Sequence, residues 1–266
     1  MHILFIADLV GDDAVGLVVD LLPRMRHTFK VDFTIVNGEN ADRGKGMTDK
    51  QIQRLKGAGV DCLTSGNHIW DPRKRDLLIE HAGFLLRPHN YPEGNAGIGT
   101  ATFRLDSGVR VGVLNLQGRS FMYDIDCPFR TADREVKRMR SETDVLFVDI
   151  HAEATAEKVA MGWHLDGRVS AVIGTHTHIQ TADERILPKG TAYLTDAGMT
   201  GPENSVIGME THRAIERFIL QSHVFYSVAK GPVRLNGVLI EVDEKTGRAL
   251  GIRRLNFNKA EFGDAF

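Results

Sequence analysis

The sequence predicts a mixed α/β protein, a system of mixed sheets flanked by helices in a single domain spanning 1–266. Three observations carry this prediction. Short apolar runs alternate with helix-period segments through the first half, which is the βαβ pattern of a parallel sheet. Val145–Ile150 and Val169–Ile173 are apolar at nearly every position, as strands covered on both faces are. The last 45 residues read instead as antiparallel strands, with turns at Lys230-Gly231-Pro232 and Glu244-Lys245-Thr246-Gly247.

The elements follow in order. His2–Ala7 reads as a strand. Asp13–Phe29 reads as a helix with an apolar stripe at 14, 15, 17, 18, 21, 22 and 25, and Pro23 should kink it. Phe33–Val36 is a second strand. Thr48-Asp49-Lys50-Gln51 is a capping box that opens a helix to Ala58. Val60–Thr64 is a third strand. Asp71-Pro72 supplies a cap and a first-turn proline for a helix to Ala82. Phe84–Arg87 is a fourth strand. Ala101–Leu105 and Arg110–Leu116 form a hairpin around Asp106-Ser107-Gly108. Thr131 caps a helix to Glu142, Thr155–His164 is helical, and Thr191–Thr195 is a further strand.

Composition narrows the function. The 266 residues are 42% hydrophobic and 26% charged, ordinary for a globular chain and too apolar for a disordered one. The most apolar stretch, Val15–Leu22, contains Asp20, so no run approaches the ~20 apolar residues of a membrane span. The N-terminus has no basic region before its short apolar run, so no secretion signal is read. Net charge is -2, from 33 basic and 35 acidic residues. That balance argues against binding RNA or DNA by bulk electrostatics. Two cysteines, Cys62 and Cys127, are too few for a disulfide framework in a chain this long and suit a reducing cytoplasm. A homo-oligomer is compatible with the sequence, which does not specify it.

The chemistry sits at strand ends. Asp8 follows the first strand; Glu39 and Asn40 follow the second, in Asn37-Gly38-Glu39-Asn40. Asn67 and His68 follow the third, in Gly66-Asn67-His68. His151 follows Val145–Ile150, and His176 and His178 follow Val169–Ile173, in Gly174-Thr175-His176-Thr177-His178. In open α/β sheets ligands bind outside the carboxyl ends of the strands, so these residues should meet at one rim. Carboxylate, amide oxygen and imidazole suit Mn, Fe or Zn. A carboxylate with two oxygens can bridge two ions, and two ions about 3.5–4 Å apart activate water and stabilise a phosphoryl transition state. His176 and His178, two apart, should point the same way on an extended backbone and reach different ions.

Each piece alone has an ordinary explanation. An aspartate after a strand is usually a cap, and asparagines beside glycine suit turns. His2, His27, His81, His164, His212 and His223 are read as hydrogen-bonded structural residues, and His89 as a residue near the rim. Asn37 and Asp149 could orient ligands from behind. Arg43 and Lys45, in a glycine-flanked loop, could meet phosphate or simply be solvated. Thr200-Gly201-Pro202 could shape a cleft wall or turn the chain, and Gly208-Met209-Glu210 could start a helix. The weight lies in the coincidence of five strand ends.

This order of motifs resembles the calcineurin-like metallophosphoesterases, whose pattern is Asp-x-His, Gly-Asp, Gly-Asn-His, a lone His and Gly-His-x-His. The chain departs twice: Val10 stands where that pattern has histidine, and Glu39 replaces the bridging aspartate. Those departures resemble the YmdB-like branch of bacterial phosphodiesterases. So do Asn115-Leu116-Gln117-Gly118-Arg119, His151-Ala152-Glu153-Ala154-Thr155 and Thr195-Asp196-Ala197-Gly198-Met199-Thr200-Gly201-Pro202.

The resemblance implies a four-layer α/β/β/α sandwich. It implies one metal held by Asp8, Glu39, Asn40 and His178, with Asn40 replacing the histidine missing at Val10. A second would be held by Glu39, Asn67, His151 and His176. The metals implied are iron first, then manganese, with zinc last. His68 would protonate the leaving oxygen while a metal-bound hydroxide attacks phosphorus. The implied substrates are cyclic nucleotides, 2′,3′-cyclic AMP before 3′,5′-cyclic AMP. Alternatives are a phosphomonoesterase or nuclease with the same site, or a regulatory RNA- or protein-binding module with a vestigial one. A dinucleotide-binding domain is disfavoured, because Asp8-Leu9-Val10-Gly11-Asp12 lacks the glycine pattern and its anionic turn would repel pyrophosphate.

Overall fold

The protein is described from a computed structural model, covering residues 1–225 and 227–265. The elements run β1 (His2–Ile6), β2 (Asp8–Leu9), α1 (Asp12–Thr28), β3 (Phe33–Asn37), α2 (Asp49–Gly57), β4 (Cys62–Thr64), α3 (Arg75–Glu80), β5 (Thr100–Arg104) and β6 (Arg110–Gln117). They continue through α4 (Pro128–Met139), β7 (Val145–His151), α5 (Thr155–Leu165), β8 (Ala171–Thr175), β9 (Arg185–Ile186) and β10 (Ala192–Leu194). The chain ends with β11 (Met199–Pro202), α6 (Thr211–Leu220), β12 (Val233–Val242), β13 (Ala249–Asn258) and α7 (Lys259–Ala265).

Two mixed sheets form. The seven-stranded sheet runs β2-β11-β12-β1-β3-β4, with β13 also on β12. The six-stranded sheet runs β5-β6-β7-β8-β10-β9. In the first, β1, β3 and β4 are parallel, and β12 pairs antiparallel with β1 from His2 opposite Glu241 to Ile6 opposite Gly237. In the second, β6, β7, β8 and β10 are parallel, and β5 and β9 close the edges antiparallel.

Side-chain alternation produces the layers. Ile3, Phe5, Phe33, Ile35 and Cys62 point from the first sheet onto Val111, Val113, Phe147, Ala171 and Ile173 of the second. The rings of Phe5 and Phe147 meet across this seam at 5.2 Å. The alternate residues Leu4, Ile6, Val36 and Leu63 face α1 and α2 through Val15, Val18, Leu22, Ile52 and Leu55. On the far side Leu114, Leu146, Val148 and Val172 face α4 and α5 through Val136, Met139, Met161 and Leu165. The order is therefore helices, sheet, sheet, helices. Every residue of β7 and β8 is buried, as their nearly continuous apolar runs predict. No helix among the described residues is long and apolar enough to cross a membrane.

Several local expectations are corrected. Phe84–Arg87 forms only isolated bridges, Leu63 to Leu85 and Leu86 to Ile98; its carbonyl at Phe84 and amide at Leu86 both bond Leu63, which ends the pairing there. Thr131 does not cap a helix: α4 begins at Pro128, after Cys127, and Thr131 is buried within it. Proline at the first turn sets φ and needs no amide partner, so it outcompetes the threonine as the start. The segment after Asp71 opens as a 3-10 turn, Pro72–Lys74, before α3. Lys230-Gly231-Pro232 leads into β12 as a bend. The Thr48–Gln51 capping box forms as expected, with both reciprocal bonds present, and α1 runs continuously through Pro23.

Candidate active site

The carboxyl ends of β1, β3, β4, β7 and β8 open onto one rim where the two sheets meet. Asp8 lies just past β1; Glu39 and Asn40 lie past β3, Asn67 and His68 past β4, and His176 and His178 past β8. His151 is the last residue of β7. Asp8, Glu39 and His151 are fully buried and Asn40 nearly so.

One group of donors converges tightly. The ligand atoms of Glu39, His151 and His176 all lie within 4.8 Å of one another. His151 Nε2 is 3.0 Å from Glu39 Oε2, 3.1 Å from Asn67 Oδ1 and 3.0 Å from His176 Nδ1. The outer atoms fix the tautomers. Thr175 Oγ1 donates to Asp149 Oδ1 at 2.8 Å, so it accepts from His151 Nδ1 at 3.0 Å. His176 Nε2 faces Glu153 Oε2 at 3.1 Å. The inner nitrogens of both rings are thereby left to present lone pairs toward two oxygens, which is a cation's environment.

The second group is looser. His178 Nδ1 donates to the Ile207 carbonyl at 2.9 Å, turning Nε2 toward Asn40 Nδ2 at 2.9 Å and Asp8 Oδ2 at 3.6 Å. A backbone bridge pairs Val10 with Asn40, so Asn40 stands beside the position where the resembling family carries a histidine. Asp8 Oδ1 and both Glu39 carboxylate oxygens are buried without a well-formed hydrogen bond. Such atoms are costly unless a cation or water meets them.

Electrostatics agree with a cation site. Burial raises the Asp8 carboxyl well above its usual range, and the charges of Glu39, Asp196 and Asp149 add to this against His151. Burial opposes ionisation of Glu39 too, but His151 and His68 hold its carboxyl well below the usual range. Burial lowers His151, yet Glu39, Asp8 and Asp149 overcome it and push it up to about 9. Burial and the neighbouring His151 bring His176 down to about 3. The field at His151 Nε2 thus favours positive charge, while His176 stays neutral and able to ligate.

His68 stands outside the tight group. Its Nδ1 donates to Asn40 Oδ1 at 2.7 Å and lies 3.0 Å from Glu39 Oε1. Its side chain is 39% exposed and lines a cleft of about 540 Å³ with Lys45, Asn67, Trp70, Asp71, Pro72, Tyr91 and Tyr123.

The surroundings explain why the local sequence is as it is. A Cβ at Gly66 would land on Glu39 Oε2 and His151 Nε2; only glycine lets the chain pass there. Asn37 accepts from the Glu39 amide at 3.1 Å and donates to Asp149 Oδ2 at 3.0 Å. Thr64 donates to the same oxygen at 2.6 Å. Burial pushes Asp149 up to about 6 against these bonds. Asn37 and Asp149 therefore stand directly behind the donor group.

The histidine pair departs from expectation. His176 and His178 have φ of 99° and 65°, so they sit on a left-handed bend and not on extended backbone. The bend is pinned from below. Asp196 accepts from the Thr177 amide at 3.1 Å and its hydroxyl at 2.7 Å, and pairs with buried Lys158 at 2.7 Å. Lys158, Thr64 and the Ile207 carbonyl were invisible as site residues, since their only signal is three-dimensional, whereas Thr175, Glu153 and Asp196 lie in motifs the sequence singled out without a role of their own. Arg43 lines a different cavity, with Val10, Asp12 and Pro202, whereas Lys45 reaches the His68 cleft. Thr200-Gly201-Pro202 is strand β11, and Glu210 precedes α6. His89 faces Glu135 of α4 at 3.3 Å and is not among the residues lining these clefts.

The comparisons with known proteins follow the same lines. The YmdB-like protein family model matches residues 4–255. A Bacillus subtilis (strain 168) relative described as a 2′,3′-cyclic-nucleotide 2′-phosphodiesterase is 46% identical over 258 residues, 97% of each chain. A solved structure described as a novel phosphatase from Mycoplasma pneumoniae superposes with a TM-score of 0.90 at 32% identity, covering 99% of this chain and 96% of that one. A hypothetical protein from Thermus thermophilus does so with a TM-score of 0.90 at 38% identity, covering 97% and 99%. With Glu39 and Asn40 in place of the commoner aspartate and histidine, and a family model matched over residues 4–255, the chain belongs to the YmdB-like family.

Proposed function

We propose that the protein is a metal-dependent phosphodiesterase that hydrolyses cyclic nucleotides, 2′,3′-cyclic AMP before 3′,5′-cyclic AMP. The observation that carries this is the convergence of lone-pair atoms from Glu39, Asn67, His151 and His176 beside a histidine, His68, that faces an open cleft. The name of the 46% identical relative supports the substrate class.

The donor set fits metal ions, being oxygen and imidazole nitrogen throughout, with Asp8 Oδ1 buried and without a hydrogen-bond partner among the described residues. Glu39, Asn67, His151 and His176 would hold one ion; Asp8, Asn40 and His178 would hold another, with Glu39 between. Bound there, the ions would supply a water activated for attack and positive charge for the phosphate oxygens. Iron is the first expectation, then manganese and zinc.

The chain's own groups do the rest. Asn40 fixes the His68 ring through Nδ1, which leaves Nε2 for the substrate. A protonated imidazole can hand a proton to a departing ester oxygen. The oxygen of water joins phosphorus and its proton passes to solvent, the ester P–O bond breaks, the released alkoxide takes the His68 proton, and solvent reprotonates His68. The Glu39 carboxylate 3.0 Å from Nδ1 stabilises the ring while it is charged. Cys62 and Cys127 are free thiols, which suits a reducing cytoplasm as the place of work.

The test is metal analysis of anaerobically purified protein with parallel assays on cyclic nucleotides. Two metal ions per chain with turnover of 2′,3′-cyclic AMP are expected; metal-replete protein without diesterase activity overturns the proposal. The phosphatase description of the Mycoplasma pneumoniae relative favours phosphomonoesterase as the second reading. Relative turnover of bis-p-nitrophenyl phosphate and p-nitrophenyl phosphate separates the two.

A further inference from the structure

The loop between β6 and α4 puts aromatic rings in solvent beside the donor group. Phe121 is 89% exposed and Tyr123 is 66% exposed. Large exposed apolar side chains clustered at a cleft mark a binding surface more often than chance exposure does. The loop is not loose at its roots. Asn90 accepts from the Gln117 amide at 2.9 Å and donates to the carbonyls of Gln117 at 2.8 Å and Asp126 at 2.9 Å. Glu157 accepts from the amides of Arg119 at 3.0 Å and Ser120 at 3.2 Å. Phe121 itself has φ of 61°, a left-handed conformation that a non-glycine residue adopts only when its surroundings impose it.

Tyr123 stands between two clefts that both reach Asn67. One, about 540 Å³, holds His68, Lys45, Trp70 and Tyr91. The other, about 340 Å³, holds Phe121, Met122 and His176. The geometry decides which cleft takes the nucleoside. In an in-line displacement the leaving oxygen departs opposite the incoming one, and the proton donor sits with the leaving oxygen. In a 2′,3′-cyclic nucleotide that oxygen belongs to the ribose. The nucleoside therefore lies on the side of His68. The larger cleft is within the roughly 300–1,000 Å³ of small-molecule sites, and its walls include Trp70 packed on Tyr91 at 4.5 Å between ring centroids.

We infer that the His68 cleft is a nucleobase site in which the base stacks on the ring of Tyr123, with Lys45 also in its lining. This deepens the proposed function and rests on it for the placement of the leaving group. Stacking reads a flat π-face, so the ring and not the hydroxyl of Tyr123 is the working part.

The experiment compares wild type, Tyr123→Ala and Tyr123→Phe on 2′,3′-cyclic AMP and on ethylene phosphate, which has the same five-membered cyclic diester and no nucleoside. In parallel, binding of adenosine 3′-monophosphate is measured by calorimetry on the metal-loaded proteins. Tyr123→Ala is expected to lower the ratio of kcat/KM for 2′,3′-cyclic AMP over ethylene phosphate about tenfold, mostly through KM, and to weaken nucleotide binding about tenfold. Tyr123→Phe should keep both within twofold. An unchanged ratio and unchanged binding in Tyr123→Ala overturn the base site while the phosphodiesterase stands. Tyr123-dependent binding without hydrolysis of either diester overturns the reaction and leaves the base site standing. Absence of both binding and hydrolysis in the wild type overturns both.

Discussion

On the proposed function His68 and Glu39 have different tasks at the rim, and single substitutions should separate them. Among the described residues, His68 touches the donor group through Nδ1, on Asn40 and Glu39. His68→Ala is expected to retain its metal by elemental analysis and to lose about 10²–10⁴-fold in turnover. Full activity, or a metal-free protein, contradicts the assignment. Among the described residues, Glu39 is the one carboxylate facing both His68 and His151; Glu39→Ala should empty or scramble both proposed metal positions, and two ions retained would remove its proposed bridging role. Gly66→Ala should keep the fold by circular dichroism and lose metal, because the added methyl occupies the space between Glu39 and His151. The donors were legible in the sequence for a plain reason. Ligands at a sheet rim come one per strand end, so each polar residue directly after an apolar run is a candidate. Of the residues behind them, Asn37 and Asp149 were legible and the others were not. Thr175, Thr64 and Glu153 act by meeting a partner that is distant in sequence, and a threonine at the end of a strand carries no mark of that.

At the scale of elements, the β8 carboxyl end stores strain and is held by a buried ion pair. Two histidines at positive φ cost on the order of 1–3 kcal/mol each. Asp196, clamped by Lys158 at 2.7 Å and bonded to Thr177, offsets that cost. Asp196→Ala leaves the Lys158 ammonium buried and unpaired, so urea unfolding should show a loss of about 3–5 kcal/mol. Metal affinity should fall about 10–100-fold as the bend relaxes. Unaltered metal affinity would make the pair a matter of stability alone. Strand and helix existence was readable from periodicity, down to the Thr48 capping box. What misled was local competition. Phe84–Arg87 has the composition of a strand, but its hydrogen bonds go to single residues on either side. Short pieces such as β2, β9 and β11 exist only because neighbours pair with them, which no local pattern encodes.

Across the whole molecule, the rim gathers its residues from both sheets, so on the proposed function metal binding and folding are coupled. A cation held by Glu39 and Asn67 from one sheet and His151 and His176 from the other can bind only when the sheets are docked. Metal-loaded protein should unfold in one cooperative transition by calorimetry. Chelation should lower Tm by roughly 5–10 °C for a cation present at about 100 times its dissociation constant. Two separated transitions would contradict a single domain. The sandwich has a further consequence for synthesis. The first strand lies between β3 and β12, and the Met1 ammonium already bonds the carbonyl of Val242, 241 residues away. At roughly 5–20 residues per second, a nascent chain waits on the order of half a minute with one backbone edge of its opening strand bare. Ribosome-bound intermediates of this protein should therefore depend on chaperone shielding until the last hairpin leaves the exit tunnel.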